Sequence, residues 1–406
     1  MSPAFLDILF FGAVRVLMKL AICHPVVEPA RGGCETYIAM LLHRLCKDGH
    51  QVHLLASRWD AAALPERLVL HHLPDFSHPR VLRPWRFSAA VARELARESF
   101  DLSLGFDKVI GVDVQFPQGG VYVAAVEHGR QRFPTAWQRT MAHILRMLTP
   151  AHWSMKWLEE QQYTSEPMPF VIAISDFTRK HLMRYLGVPA SHIQVLRPAI
   201  DPSRLFATDR PARRAVARQQ WGIEPDEVFA IFLGVNPRLK GIEPLLNAVA
   251  HMGDRRRFRL GVFGAGKAHD YESLARRLGI SENVRFLGYH PDIRDIYFAG
   301  DMLVHPTFYD PCSLVVLEAT AVGLPVITTR SNGAAELLDP PADSRIITNP
   351  HDPVPLAVAM QAFLDNDTRR AASKAALRSA SRWTFEDHYR EFMHLLDLAW
   401  RRKRAA

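Results

Sequence analysis

Between Val304 and Thr329 the chain reads VHPTFYDPCSLVVLEATAVGLPVITT, and few folds can accommodate that run. Met302-Leu303-Val304 is apolar, residues 305–311 are broken by two prolines, and residues 312–322 have the spacing of a helix. Gly323 ends the helix, and residues 325–329 form a second β-branched run. Strand, loop, helix, turn and strand make one unit of a parallel sheet, and open sheets of this kind bind ligands at their carboxyl edge. Two carboxylates fall at that edge, Asp310 in the loop and Glu318 further along the helix. Ser313 and its neighbours lie near the helix N-terminus, where free N–H groups and the dipole favour a phosphate.

The same alternation extends in both directions. Lys19–Cys23 reads as a strand, residues 24–33 as a loop ending Arg31-Gly32-Gly33, residues 35–47 as a helix and Gln51–Ala56 as the next strand. The glycine pair either lets the backbone approach a ligand at a helix N-terminus or makes a plain turn. Neither G-x-G-x-x-G nor a Walker motif stands there, which argues against a dinucleotide enzyme or an NTPase. A second series begins at Val228: strand 229–233, loop 234–241, helix 242–252, strand 258–263, the turn Gly264-Ala265-Gly266, then helix, strand and helix up to Met302. Residues 201–225, polar and Arg-rich with three prolines, read as the linker. The pattern predicts two doubly wound parallel-sheet domains, 18–200 and 201–384, followed by helices ending in one over 385–406.

Composition narrows the partners. A chain of 406 residues suits two domains, each with its own core. The net charge of +8 attracts nucleic acids, anionic membranes and phosphate-bearing substrates alike. Nucleic-acid binding would need aromatic residues interleaved with Lys and Arg on one face, and no such stripe is present. The Arg-rich stretches at 210–218, 255–259 and 401–404, which read as helical, serve either peripheral docking on an anionic membrane or plain solvation. Residues 131–166 read as one long amphipathic region, whose Trp137, Trp153 and Trp157 meet either a membrane interface or neighbouring helices.

Four scattered cysteines without C-x-x-C indicate neither a disulfide framework nor a zinc site, and predict a reducing cytoplasm. Residues 2–16 are apolar but interrupted by Asp7 and Arg15, shorter than the ~20 residues of a spanning helix and without a basic n-region. The first seventeen residues read as either a mispredicted extension or a loose amphipathic lead before Met18. The one D-x-D, Asp365-Asn366-Asp367, reads as a turn or cap rather than a metal site.

From Asp310 onward the chain resembles the family-4 retaining glycosyltransferases. Their hallmark is an acidic residue, seven intervening positions and Glu, then Ala and a Gly-x-Pro-V-[IV] strand opening; here it stands as D-PCSLVVL-E followed by ATAVGLPVIT. The family usually opens with Glu, so Asp310 keeps the charge with one methylene fewer. VIAISDFTRKHLMRYLGV and IQVLRPAID resemble the last elements of the family's first domain.

The resemblance implies the GT-B fold, two Rossmann-like domains facing across a cleft, with the last helix crossing back to the first domain. It implies a nucleotide-sugar donor, a glycan or glycolipid acceptor, no cofactor and no metal. Lys240 and Arg238 in NPRLKG would face the donor diphosphate, and Asp310 the transferring sugar. Glu318 would hold the ribose hydroxyls, while amides near Ser313 and Leu314 would take the distal phosphate. Gly32 and Gly33 would face the phosphates and the acceptor, and Gly264 and Gly266 would pass close to the base. Tyr122 and His128 fall on the acceptor side, where His128 either orients a hydroxyl or caps a helix. Within the family the chain looks most like enzymes that extend the lipopolysaccharide core with glucose, which favours UDP-glucose. The competing readings are a retaining glycosidase, a nucleotide-sugar epimerase of similar architecture, and a basic non-catalytic nucleic-acid- or membrane-binding protein. The glycosidase fits poorly, because Asp310 and Glu318 share one loop–helix element.

Overall fold

The computed structural model describes residues 17–405 apart from 30–31, 77, 80, 202–204 and 265–267. Gly266 and the lead segment up to residue 16 therefore lie outside the described residues. The first domain contributes β1 (Lys19–Cys23), β2 (Val26–Val27), β3 (Gln51–Ala56), β4 (Arg58–Trp59), β5 (Val69–His72), β6 (Leu102–Phe106), β7 (Val114–Phe116), β8 (Phe170–Ala173) and β9 (Ile193–Val195). Apart from the short β2–β4 pair they form one sheet in the order β5-β3-β1-β6-β7-β8-β9. The second domain holds β10 (Val228–Leu233), β11 (Phe258–Phe263), β12 (Val284–Gly288), β13 (Met302–His305), β14 (Val326–Thr329) and β15 (Ser344–Ile347), in the order β12-β11-β10-β13-β14-β15.

Every strand pair is parallel, and helices cover both faces of each sheet. That is why β10 reads as the unbroken apolar run VFAIFL, buried at all six positions, rather than as an alternation. In both sheets the winding reverses beside the first strand, between β1 and β6 and between β10 and β13. These are the switch points at which such sheets open a crevice.

The predicted linker is not a plain tether. Part of it is a helix, Arg210–Gln220, packed on the helix Ile293–Ala299 of the second domain. Arg210, Arg214 and Arg218 share one face by i,i+4 spacing and turn inward instead of solvating a tether. Arg214 donates to the carbonyls of Phe298 and Ala299 at 2.8 and 2.9 Å and to Asp301 at 2.7 Å. Buried Arg218 reaches Asp301 at 3.0 Å and the carbonyls of Glu224 and Glu227 at 2.7 Å each. Guanidinium groups thus satisfy the carbonyls of a helix C-terminus.

Two further elements position the site. The amphipathic region resolves into two helices: Ala136–Met147, opened by a Thr135–Gln138 capping box, and Pro150–Thr164, opened by proline. Asp365 caps the helix Asn366–Ser381 by accepting from the Thr368 amide at 2.8 Å, which accounts for the D-x-D.

The last helix, Phe385–Ala405, buries His388, Phe392, Leu395, Leu396 and Ala399 along one stripe and lays it on the first domain. Glu386 accepts two bonds from Arg44 at 2.5 and 2.8 Å, and Phe392 stacks on Phe116. The Arg197 carbonyl lies 2.8 Å from His388 Nδ1, so that nitrogen donates; Nε2 therefore accepts from the Tyr37 hydroxyl, also at 2.8 Å. Burial pushes the His388 imidazole down to about 4, against the raising effect of the Arg197 carbonyl. An unfolded histidine titrates near 6.5, so the unfolded chain takes up this proton first. The resulting stability is complete above about pH 6.5 and is lost as pH falls towards 4, by roughly 3 kcal/mol in all. Urea unfolding of wild type and His388→Gln over this range should show a shallower acid loss in the variant; identical slopes would mean that His388 is not held neutral.

Candidate active site

The second domain's switch point brings two loops together. The loop after β10 carries Lys240, and the loop after β13 carries Asp310. Because the two strands are neighbours, the side chains meet: Lys240 Nζ lies 2.6 Å from Asp310 Oδ2. His305, the last residue of β13, places Nε2 3.6 Å from the same oxygen and 3.4 Å from Ser313 Oγ. Burial alone would push the Asp310 carboxyl up. The Lys240 ammonium and His305 overcome it and hold the group well below the usual carboxylate range, so Asp310 is ionised. Burial holds His305 below its ordinary value, with Lys240 acting in the same direction and Asp310 against it. The Asp310 backbone is fixed as well: its amide donates to Ser331 O and its carbonyl accepts from Gly333, both at 2.9 Å.

Beyond this pair the helix Leu314–Ala321 begins at Ser313. The Ser313 amide already donates to Asn332 Oδ1 at 3.2 Å, which corrects its expected role as a phosphate donor. Leu314 and Val315 occupy the first turn, where amides have no acceptor within the helix. Buried Glu318 stands one turn further on, with Oε2 accepting from the Tyr297 hydroxyl at 2.7 Å. Gly264 follows β11 at φ +78°, and a Cβ there would stand 3.1 Å from the Gly234 carbonyl oxygen. Only glycine lets these two loops run so close. Arg238 is turned elsewhere: its Nε is 3.3 Å from Glu243 and its guanidinium lies 4.8 Å from the Phe133 ring of the first domain.

The first domain supplies the opposite wall. Gly32 precedes and Gly33 opens the helix Gly33–Lys47, and a Cβ on Gly33 would approach Leu314 Cδ1 to 2.9 Å. Two helix N-termini therefore face each other across the cleft. Tyr122 opens the helix Tyr122–Arg130, its hydroxyl 3.2 Å from His152 Nδ1 and its amide donating to Glu159 at 2.7 Å. His128 is packed among the rings of Phe177, His181 and Tyr309 at 5.0–5.6 Å, and burial holds its imidazole below the ordinary value. That places His128 in a contact between the domains.

Sequence reading passed over two residues. Tyr309, beside Asp310, projects into the first domain, where its hydroxyl accepts from the Val121 amide at 3.1 Å and donates to the Val121 carbonyl at 3.3 Å. Asp107 follows β6 at the other switch point with φ +64°, the one positive φ at a non-glycine among the described residues. Its Oδ1 accepts from the Gly119 amide at 2.5 Å, and its Oδ2 lies 3.8 Å from Cys34 Sγ. Its only mark in the sequence is its place after the apolar run LSLGF, at a carboxyl edge.

Two facing Rossmann-like sheets, with a lysine-held carboxylate beneath a helix N-terminus at one switch point, define a GT-B glycosyltransferase. Residues 31–204 match the family model described as Glycosyltransferase Family 4, and residues 227–366 match that described as Glycosyl transferases group 1. Over most of its length the chain is thus similar to glycosyltransferases of these two models. It is 25% identical over 351 residues to the lipopolysaccharide glucosyltransferase WaaG of Escherichia coli K12, covering 86% of this chain and 88% of that one. Its fold matches the crystal structure of WaaG, a glycosyltransferase involved in lipopolysaccharide biosynthesis, with TM-score 0.77 at 24% identity over 94% and 98% of the two chains. Anabaena HepE in complex with UDP-glucose superposes with TM-score 0.66 at 16% identity, over 96% of this chain and all of that one.

Removing Lys240 would leave the buried Asp310 carboxylate uncompensated, at a cost of roughly 3–5 kcal/mol. Lys240→Met should therefore be strongly destabilised in urea at pH 7, and adding Asp310→Asn should restore much of the loss. Because its folded carboxyl titrates below the unfolded one, Asp310 contributes stability above about pH 4 that is lost as pH falls further. An Asp310→Asn variant that loses stability with acid as steeply as wild type would contradict this.

Proposed function

We propose that the protein is a retaining hexosyltransferase that moves glucose from UDP-glucose to a glycan or glycolipid acceptor of the lipopolysaccharide-core type, with no metal in the transfer step. The Lys240–Asp310 pair at the second switch point carries this reading. A diphosphate seated at the N-terminus of Leu314–Ala321 would meet the first-turn amides, the helix dipole and the Lys240 ammonium, which together stabilise negative charge as the nucleotide leaves. Asp310 would face the sugar, and Glu318 would accept from the ribose hydroxyls. The bond between the anomeric carbon and the diphosphate oxygen breaks, the acceptor hydroxyl attacks from the same face, and a phosphate oxygen takes its proton. Configuration is retained. The likeness to WaaG supports glucose and a lipopolysaccharide acceptor, and that to HepE supports UDP-glucose.

The proposed place of work is the cytoplasmic face of an anionic membrane. Among the described residues no helix is long and apolar enough to cross a membrane. The helices Ala136–Met147 and Pro150–Thr164 leave Trp137 70% and Leu148 73% exposed, with Leu145, Trp153 and Trp157 also open. Lys156 lies over the Trp153 ring at 5.4 Å, the pairing of base and indole that suits a headgroup layer.

Thermal unfolding against a panel of nucleotides tests the donor: UDP at about 100 times its dissociation constant should add about 2.7 kcal/mol. Glu318→Gln should abolish that shift while nearly preserving the unliganded midpoint, and an unchanged UDP response would remove Glu318 from the donor site. Proton NMR of the product should show the donor's anomeric configuration, whereas donor conversion without acceptor would mark an epimerase. In sedimentation with phosphatidylglycerol vesicles, Trp137→Ser with Leu148→Ser should bind several-fold more weakly than wild type; equal binding would move the contact elsewhere.

A further inference from the structure

We infer that the outer edge of the first sheet holds a site for a divalent first-row transition ion of the zinc type, built from His53, His71 and Glu98. The site belongs to the fold of the first domain and is separate from the donor cleft.

Sheet register creates it. In the parallel β3–β5 pair His53 stands opposite Val69, and Leu55 opposite His71. Alternation therefore puts His53 and His71 on one face as diagonal neighbours. Glu98 comes to that face from the segment after the helix Arg83–Leu95. His53 Nδ1 lies 2.8 Å from His71 Nε2 and 3.5 Å from Glu98 Oε2, and the three ligand atoms fall within 4.8 Å of one another. Tetrahedral bonds of about 2.0–2.1 Å set ligand atoms about 3.3 Å apart. The imidazole–carboxylate spacing already fits, and the imidazoles need to part by only about half an ångström.

The surroundings are those of a ligand set. One imidazole N–H could serve either the second imidazole or the carboxylate well, whereas an ion serves all three groups at once. His53 Nε2 is buried without a hydrogen-bond partner among the described residues, leaving Nδ1 as the nitrogen that acts. His71 turns its other nitrogen towards Glu94 Oε2, 3.9 Å away and beyond hydrogen-bond reach. The second Glu98 oxygen is held by Lys19 Nζ at 2.5 Å. Phe100 walls the site edge-on to His53. His53 is only 3% exposed, but the His71 and Glu98 side chains are 23% and 37% exposed, which leaves a path for the ion and a place for a fourth, water ligand. Lys19 opens β1 and Glu98 precedes β6, so the carboxylate and its lysine come from the amino end of the sheet. An ion here would tie the edge strand β5 to β3 and to the segment after the covering helix.

The test is calorimetric titration of the metal-stripped full chain with Zn2+ at pH 7.5. One ion should bind with micromolar or tighter affinity and raise the unfolding temperature. His71→Gln and Glu98→Gln, both at partly open positions and each checked for an unchanged circular dichroism spectrum, should each weaken binding by about tenfold or more. No binding below about 100 μM would overturn the inference. So would undiminished affinity in either variant, because the ion would then sit elsewhere.

Discussion

A carboxylate taken out of water costs several kcal/mol unless charge and hydrogen bonds answer it, and Asp310 is 7% exposed. Much of the second domain is arranged around that answer. Lys240 can give it only because β10 and β13 are adjacent, which is a property of the winding and not of either loop. The backbone then holds the two loops to each other: the Phe308 amide and the Thr307 hydroxyl both reach the Leu239 carbonyl, at 2.9 and 3.2 Å. Thr329 on β14 donates to the Thr307 carbonyl at 2.6 Å from the other side. The ion pair is therefore set in a frame built before any ligand arrives, as electrostatic stabilisation of a departing group requires.

The domain contact follows the same economy of partners. Glu336, from the second domain, accepts from the amides of Asp176 and Phe177 at 2.9 and 2.7 Å, and so caps a helix of the first. Ser175 donates to the Pro311 carbonyl at 2.6 Å. Each contact satisfies a backbone group that would otherwise face a partner surface unpaired.

How much of this was legible depended on where the partners lie in the chain. The βα alternation and the Asp310–Glu318 helix could be read because period, glycine and proline are local signals. The place of Lys240 followed from a loop at a carboxyl edge together with the family's pattern. The stretch at 210–218 could be read as helical, but its burial escaped because its inward face is arginine, and the Asp301 that answers Arg214 and Arg218 comes more than eighty residues later. Ser313 looked like an open amide because Asn332, nineteen residues on, carries no mark of its role. For His128 the sequence left an acceptor contact and a helix cap equally open, and it could not show Tyr309, from the other domain, against its ring. Asp107 needed a φ value that no sequence displays.

Tyr309 and Asp310 are consecutive, yet one side chain is seated in the first domain at Val121 and the other holds Lys240 in the second. That short segment behaves as a lever whose two arms lie in different bodies. Rotation of one domain against the other must either break the Tyr309 bonds or carry the strain along one peptide link to the carboxylate. The degree of cleft closure is thus transmitted mechanically to the group that would touch the sugar, and loss of the Tyr309 hydroxyl would be felt as a misaligned Asp310 before it was felt as a loosened interface.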